Sequence, residues 1–512
     1  MILLEIDALN LVTGLVETLR YADKGISTRP TDIPSEVYFV PRLGEGLRSS
    51  RRIPLGALGG RPQATFGDIV LNNQDGALDG LSAYAFDGRE FRVWYFDSEP
   101  SAYVLPGAES FKGLVAQPLI GYEQVRFKVL DLTPVYFTRP LLTAIYAGTN
   151  IDEAGLEGGP GDLKGQRKPR LYGVVQNIAP RLVNSIKNIY QVSDRPGTLM
   201  FHAAGGDCVF DMGVVIGKDS AADYLSVSQL EASAPAAGKY RLYSGPEGLF
   251  VRVGSPASQL TVDAAASGGS TPQQIATALI ADIGLPSGSS TPISPPTGNT
   301  PGCGVYLEDE STAADVLERI CPADNLWFGF DRLNRFSMAK VRLGWISSVE
   351  LNELEIQSIQ PVRDGDDGGA PVRSVRVPYQ RLHTVQSQVA GAATPARRAL
   401  VMQAVRYATA ENPLAAQQRL LARDVEVNAD LSSANGAAAV ADSWLAFYGS
   451  ERLLVDVVVA CTASRLQKID VGKYVKLSHP RFGLQAGRVF LVVGVEVEVG
   501  RDVGAMRISL WG

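Results

Sequence analysis

Apolar and polar positions change their rhythm twice along this chain. From residue 1 to about 190 they come as short, partly alternating runs rich in β-branched and aromatic side chains, at 36–40, 68–72, 91–96 and 124–130. That rhythm predicts half-buried antiparallel strands. Asp75-Gly76 and Asp87-Gly88 stand between the runs, and an Asp-Gly step turns readily, so meanders or hairpins are expected. β-like material continues past Leu171-Tyr172-Gly173-Val174-Val175 to about residue 263, with runs at 238–243 and 249–253.

The period then becomes helical. Ile275, Ala278, Leu279 and Ile283 share one face, with Pro272 near the first helical position and Gly284 just past the end. The stretch 285–301 is mostly Gly, Pro, Ser and Thr and reads as an exposed connection. Thr312 and Asp315 approximate a capping box for a second helix whose face at 313, 316, 317, 320 and 321 points Cys321 inward. Residues 327–336 read as two strands around a polar turn, with Trp327, Phe328, Phe330 and Phe336 as hairpin core. Ala437, Val440, Ala441, Trp444, Leu445 and Tyr448 predict a third helix laid across a sheet, with Gly449 as its left-handed cap. Four strands, at 453–459, 474–477, 489–497 and 506–510, surround it.

At 512 residues the chain has room for two to four domains. It is 45% hydrophobic and 20% charged, the range of folded proteins, and its 52 glycines and 30 prolines favour many short elements joined by turns. The fold class expected is mainly β with α+β insertions: two tube-like β-barrel or sandwich domains plus smaller peripheral domains. The divisions fall at 1–190 (N-terminal tube-like β domain), 191–265 (small β-rich insertion), 266–345 (small α+β domain) and 346–512 (C-terminal tube-like β domain with one flanking helix).

Charge adds little. Lys and Arg number 48 against 54 Asp and Glu, and the densest basic run, Arg167-Lys168-Pro169-Arg170, is short, so capture of nucleic acid by charge is not expected. Acids near Met1, at Glu5 and Asp7, do not suit a signal peptide. The longest apolar stretches, 453–463 and 489–499, carry Asp456, Glu496 and Glu498 and fall short of a bilayer span, so no stable membrane insertion is expected.

The candidate chemistry is thin. Cys208, Cys303, Cys321 and Cys461 form no CxxC pair, and with His202 the only histidine close to one of them in sequence, buried reduced thiols are expected. His202, His383 and His479 build no metal motif, and a His383–Cys461 pair has no local signature to recommend it. The glycine-rich segment 155–165 lacks the Gly-Lys-Ser/Thr step of a phosphate loop and reads as a surface loop. Asp364-Gly365-Asp366-Asp367-Gly368-Gly369 has Gly368 and Val375 where a calcium loop needs ligands, so it reads as a solvated turn. No catalytic, cofactor-binding or metal-ligating residue is assigned, and no cofactor.

Several blocks carry a resemblance. Tyr146-Ala147-Gly148-Thr149-Asn150, Asp162-Leu163-Lys164-Gly165-Gln166-Arg167-Lys168-Pro169, Gly304-Val305-Tyr306-Leu307, Trp327-Phe328-Gly329-Phe330-Asp331 and Pro480-Arg481-Phe482-Gly483-Leu484, with the final Leu510-Trp511-Gly512, resemble in order the baseplate hub or tail-tip hub proteins of tailed bacteriophages and gene-transfer particles. The resemblance implies a non-enzymatic virion protein. It implies a homotrimer closing the distal end of the tail tube, between a distal tail protein and a central fibre or spike protein, with tape measure protein and DNA passing its lumen, a site reached by assembly in the host bacterial cytoplasm. Host attachment and genome ejection are the processes implied. An acidic lumen would ease the passage of DNA.

The rival readings are a hexameric distal tail ring protein, a receptor-binding adhesin and a cell-wall hydrolase. An adhesin would expose clustered aromatics, whereas Trp94, Trp327, Trp345, Trp444 and Trp511 are scattered and mostly read as core.

Overall fold

A computed structural model describes the chain apart from residues 54–62, 152–153, 200–207, 297, 343, 345, 348, 363–368 and 501–503, and apart from the side chains of 45 and 63–66. The strand Ile2–Asn10 turns back on Val16–Ala22, in register from Leu3 opposite Ala22 to Leu9 opposite Val16. On its other edge it pairs with Arg89–Tyr95, and the ladder continues through Phe111–Val115, Gln124–Leu130, Gln63–Asn72 and Leu43–Arg52. Leu43–Arg52 then pairs with Arg488–Val499 and Arg488–Val499 with Gly504–Trp511, while Leu454–Ala460 pairs with the far edge of Gly504–Trp511 and Ile356–Pro361 with Leu454–Ala460. All belong to one sheet of 17 strands.

The mainly-β expectation is what the chain shows, but its two ends do not close into separate barrels. They share a sheet and a core in which Leu4, Ile6, Phe91 and Phe127 pack in one cluster with Val455, Val457, Val497 and Ile508. The 12-residue strand Arg488–Val499 makes this possible. Its first residues pair with Tyr474–Leu477 and its last six with Leu43–Arg52, so one strand serves both halves. Gly46 permits the approach. It sits at φ +80° within a register shift, and a Cβ there would lie 1.8 Å from the Val499 carbonyl oxygen.

The strand pairings also differ from a meander. Gln63–Asn72 finds its partners at 43–52 and 124–130, because the Asn73–Gly76 turn leads into the 3-10 turn Asp79–Ala83 instead of a returning strand.

Arg170–Ile178 belongs to the middle of the molecule. It pairs with Leu260–Ala266 and Gly304–Leu307 in a six-stranded sheet. A five-stranded sheet, Arg181–Asn184, Ile189–Ser193, Gly248–Val253, Lys239–Gly245 and Gly217–Lys218, packs with it through Leu171, Ile178, Tyr190, Val192, Val251 and Val262. A boundary at residue 190 would cut the strand Ile189–Ser193.

The helices follow their sequence signals closely. Pro272–Asp282 has a full capping box between Thr271 and Gln274. It ends with Gly284 at φ +66°, whose N–H bonds the Ala281 carbonyl while Leu285 N–H reaches back to Ile280. Ala313–Ile320 has its capping box at Thr312 and Asp315 and buries Ala313, Val316, Leu317 and Ile320, with Cys321 beside them. Leu326–Phe330 and Phe336–Lys340 form the expected hairpin, and Phe137 packs on Phe330 and Phe336 at ring distances of 5.3 and 5.2 Å. The 285–301 connection is less free than its composition suggests, since Ser289 and Thr291 exchange backbone hydrogen bonds with Phe336.

Ala434–Tyr448 lies on the three-stranded sheet containing Ser374–Tyr379 and Arg406–Glu411, with Trp444 fully buried and its Nε1–H donated to the Pro322 carbonyl at 2.9 Å. Gly449 is not left-handed. Its φ is −76°, and a glycine is needed there because a Cβ would come within 2.5 Å of the Leu445 carbonyl oxygen.

Candidate interaction surface

The residues that could have carried chemistry are dispersed or engaged. Among the described residues no group of three or more His, Cys, Asp or Glu is placed to hold a metal ion. His202 and most of the acidic turn, Asp364 to Gly368, lie outside the described residues. All four cysteines are buried, and burial pushes the Cys461 thiol up to about 12 and those of Cys303 and Cys321 upward as well. His383 and Cys461 do not meet. The imidazole Nε2 lies 2.9 Å from Glu308 with its ring edge-on to Tyr306, whereas Cys461 sits in the core of the large sheet and accepts the Tyr95 hydroxyl on its carbonyl at 3.2 Å.

The short basic run is consumed by internal pairing. Arg167 bonds Glu310 and the Leu142 carbonyl, Lys168 pairs with Glu157 at 2.6 Å, and buried Arg170 is held between Asp194 and Asp282. Asp282 also accepts the Tyr172 hydroxyl at 2.6 Å and Arg195 at 2.9 Å. It closes the helix Pro272–Asp282, where the macrodipole disfavours an acid, and the two arginines offset that. The 155–165 segment is a loop, whose Leu163 packs with Tyr146 on Val183 and Phe250.

Two buried ionic nodes tie distant parts of the chain together. Arg397 donates to Asp263 at 3.0 Å and to the Asn177 side-chain oxygen at 2.8 Å, with its guanidinium 3.5 Å from the centre of the Phe210 ring. Asn177 sits at φ +54°, donates its N–H to Asp263 and gives its side-chain amide to the Thr384 carbonyl. The second node is Arg51, 3.1 Å from Asp470, which also accepts the Arg332 backbone N–H. Arg332 in turn donates to the Glu109 and Ser110 carbonyls, so the turn of the 326–340 hairpin is pinned between both halves of the large sheet. No sequence signal could have found these nodes, because their members lie 134 and 220 residues apart in the first and 138 in the second.

What the fold displays is surface. The outward positions of the large sheet carry charges of both signs that pair between strands: Arg48 with Glu498 at 3.7 Å and Arg507 with Glu496 at 3.9 Å directly opposite one another, and Arg126 with Asp68 at 3.1 Å on the diagonal. Ser509 donates to Asp456 at 2.6 Å on the next strand. Charged residues of both signs thus stand on this face from the N-terminal to the C-terminal strands. The face interleaves acids and bases, so the acidic net charge does not gather into an acidic wall there. A second kind of surface was legible as a turn with the wrong polarity: Leu11-Val12-Thr13-Gly14-Leu15 joins the first two strands and exposes all three apolar side chains.

Trp94, Trp327, Trp444 and Trp511 are all buried, and Trp345 lies outside the described residues.

No protein-family model matches the sequence, and no curated protein matches it. Solved structures do. A tail protein from Neisseria meningitidis MC58 aligns over 100% of this chain and 96% of its own, at 9% identity and a TM-score of 0.43. A 43 kDa tail protein of prophage MuSo2 from Shewanella oneidensis aligns over 99% and 97%, at 10% identity and a TM-score of 0.41. A chain from the virion of a native gene transfer agent particle aligns over 74% and 92%, at 14% identity and a TM-score of 0.41.

Proposed function

We propose that this chain is a structural subunit of a phage-type tail and, more specifically, the hub of its baseplate or tail tip. In this reading three copies form a ring at the distal end of the tail tube. The ring meets a distal tail protein on one side and a central fibre or spike protein on the other, and its lumen admits the tape measure protein and DNA. The two ends of the chain supply the ring wall, with 191–265 and 266–345 as peripheral modules.

The observation that carries the proposal is the pairing of Leu43–Arg52 with Arg488–Val499. It turns both ends of a long chain into one sheet, a broad wall of the kind assembly needs. The order of the hub-like sequence blocks supports the same reading, and so does the engagement of His383, the cysteines and the basic run in packing and internal ion pairs.

Antibody labelling of intact particles tests it. Label confined to the distal tip of the tail is expected; label along the tube or on the capsid would contradict the hub.

A further inference from the structure

The antiparallel pair Ser374–Tyr379 and Arg406–Glu411 is not closed by a turn. After its last register pair, Tyr379 opposite Arg406, the chain leaves on an excursion over residues 380–405, whose two limbs are joined by Leu382 N–H to the Ala404 carbonyl and Gln386 N–H to the Val401 carbonyl. The excursion lies as a strap on the middle sheet. Thr384 donates its N–H to the Asn177 carbonyl and accepts the Asn177 side-chain amide on its own, Ala390 N–H reaches the Met212 carbonyl at 2.9 Å, and Gln386 gives its side-chain amide to Gln259 at 3.2 Å. Beneath the strap, Gln259, Thr261 and Asp263 alternate along the chain and so share a face, with Phe210 directly opposite Thr261. Arg397 is seated on that face, against Asp263, the Asn177 side chain and the Phe210 ring.

What holds the strap is polar. Its buried apolar side chains are Leu382, Ala393 and Val401, and none of them belongs to the hydrophobic clusters that make up the core of the described residues. The seam is also incompletely paired. Thr261 Oγ1, Gln386 Oε1 and Arg397 Nε are buried in it without a protein hydrogen-bond partner, as is Gln176 Oε1 at the strap's root, in a small cavity shared with Gln380 and Arg381.

These features set the cost of lifting the strap. Apolar burial resists separation in proportion to its area, and here that area is slight. When the strap leaves, Arg397 and Asp263 recover hydration together, which is set against their attraction, and each orphaned atom gains a hydrogen bond to solvent. The sheets on either side are held instead by continuous ladders.

We infer that residues 380–405 are a releasable latch. The strap opens and closes as one unit on a middle sheet and a three-stranded sheet that both stay folded, and it covers or uncovers a face that seats a guanidinium. The inference concerns a single chain and stands whether or not three copies form a ring.

Hydrogen exchange of the full chain, followed by mass spectrometry at urea concentrations below the unfolding transition, tests it. The amides of 382–390 are expected to exchange together and before those of Leu454–Ala460 and Arg488–Val499, with a weaker urea dependence because little surface is exposed. Arg397→Lys keeps the charge but loses the forked contact, so the strap's exchange should quicken about tenfold while that of the large sheet is unchanged. A lock provides the opposite arm. A Cβ at Gly213 would lie 3.9 Å from that of Val389, a spacing that suits a disulfide, so oxidised Gly213→Cys with Val389→Cys should slow the strap's exchange. The reduced form carries the same backbone strain at position 213, where φ is +81°, and is the control.

Strap amides that exchange only with the large sheet, at the same urea dependence, overturn the latch whether or not the lock forms. An Arg397→Lys strap that exchanges at the wild-type rate also overturns it. So does an opening that spreads to Arg170–Ile178 and Leu260–Ala266, because the strap would then be part of the middle sheet's own folding unit.

Discussion

Arg397 and Asp263 form an ion pair at 3.0 Å although their side chains are only 8 and 0% exposed. Asp263 lies on a strand of the six-stranded middle sheet, and Arg397 on the helix Pro395–Val401, so the pair fastens the C-terminal third of the chain onto the middle sheet. Taking one partner away leaves the other charge buried. Arg397→Ala is expected to cost about 3–5 kcal/mol in denaturant unfolding. The exposed Arg48–Glu498 pair provides the contrast, and Arg48→Ala should leave the midpoint unchanged.

Gly472 sits at φ +81° with the Trp327 ring where a Cβ would be, 2.0 Å away. Gly472→Ala must push the indole out of its seat beside the sheet, and a loss of about 1–3 kcal/mol is expected from overpacking. Gly298, with no atom within 4 Å of its would-be Cβ and no positive φ, is the control: Gly298→Ala should be neutral in the same unfolding measurement.

The local elements were readable because their signals are local. Thr271 and Gln274, Thr312 and Asp315, and the apolar face ending at Tyr448 each lie within one or two helical turns, and the structure holds each helix where those signals put it. The joining of the two ends was not readable. Nothing in 43–52 specifies a partner more than 440 positions away, and an alternating strand looks the same whether its neighbour is the next strand or the last one. The barrel or sandwich expected at each end is therefore, in the structure, part of one shared sheet that does not close into a barrel.

Glu308 provides a pH test. Burial raises its carboxyl, but the hydrogen bond and charge of His383, with Arg181 at 3.0 Å, outweigh that and hold it below the ordinary value of 4.5. A carboxyl lowered in the folded state stabilises fully above the unfolded value and loses that contribution as pH falls through the folded one. The stability difference between wild type and Glu308→Gln should thus shrink as pH falls below 4.5, as read from urea unfolding across that range. A difference that grows on acidification would contradict the assignment.

The thiols should be silent in the native protein. All four are buried, and those of Cys303, Cys321 and Cys461 are pushed above the ordinary thiol value by burial, so a disulfide reagent at mildly alkaline pH is expected to find no fast-reacting group before unfolding and four after it.

The central claim is that both ends of this chain build one wall of a ring at the end of a tail. Symmetry-resolved imaging of the particle measures this most directly. Three copies around the distal end of the tube, each contributing its shared sheet to the wall, is the result expected; six copies in that ring, or copies placed outside the tube axis, would contradict it.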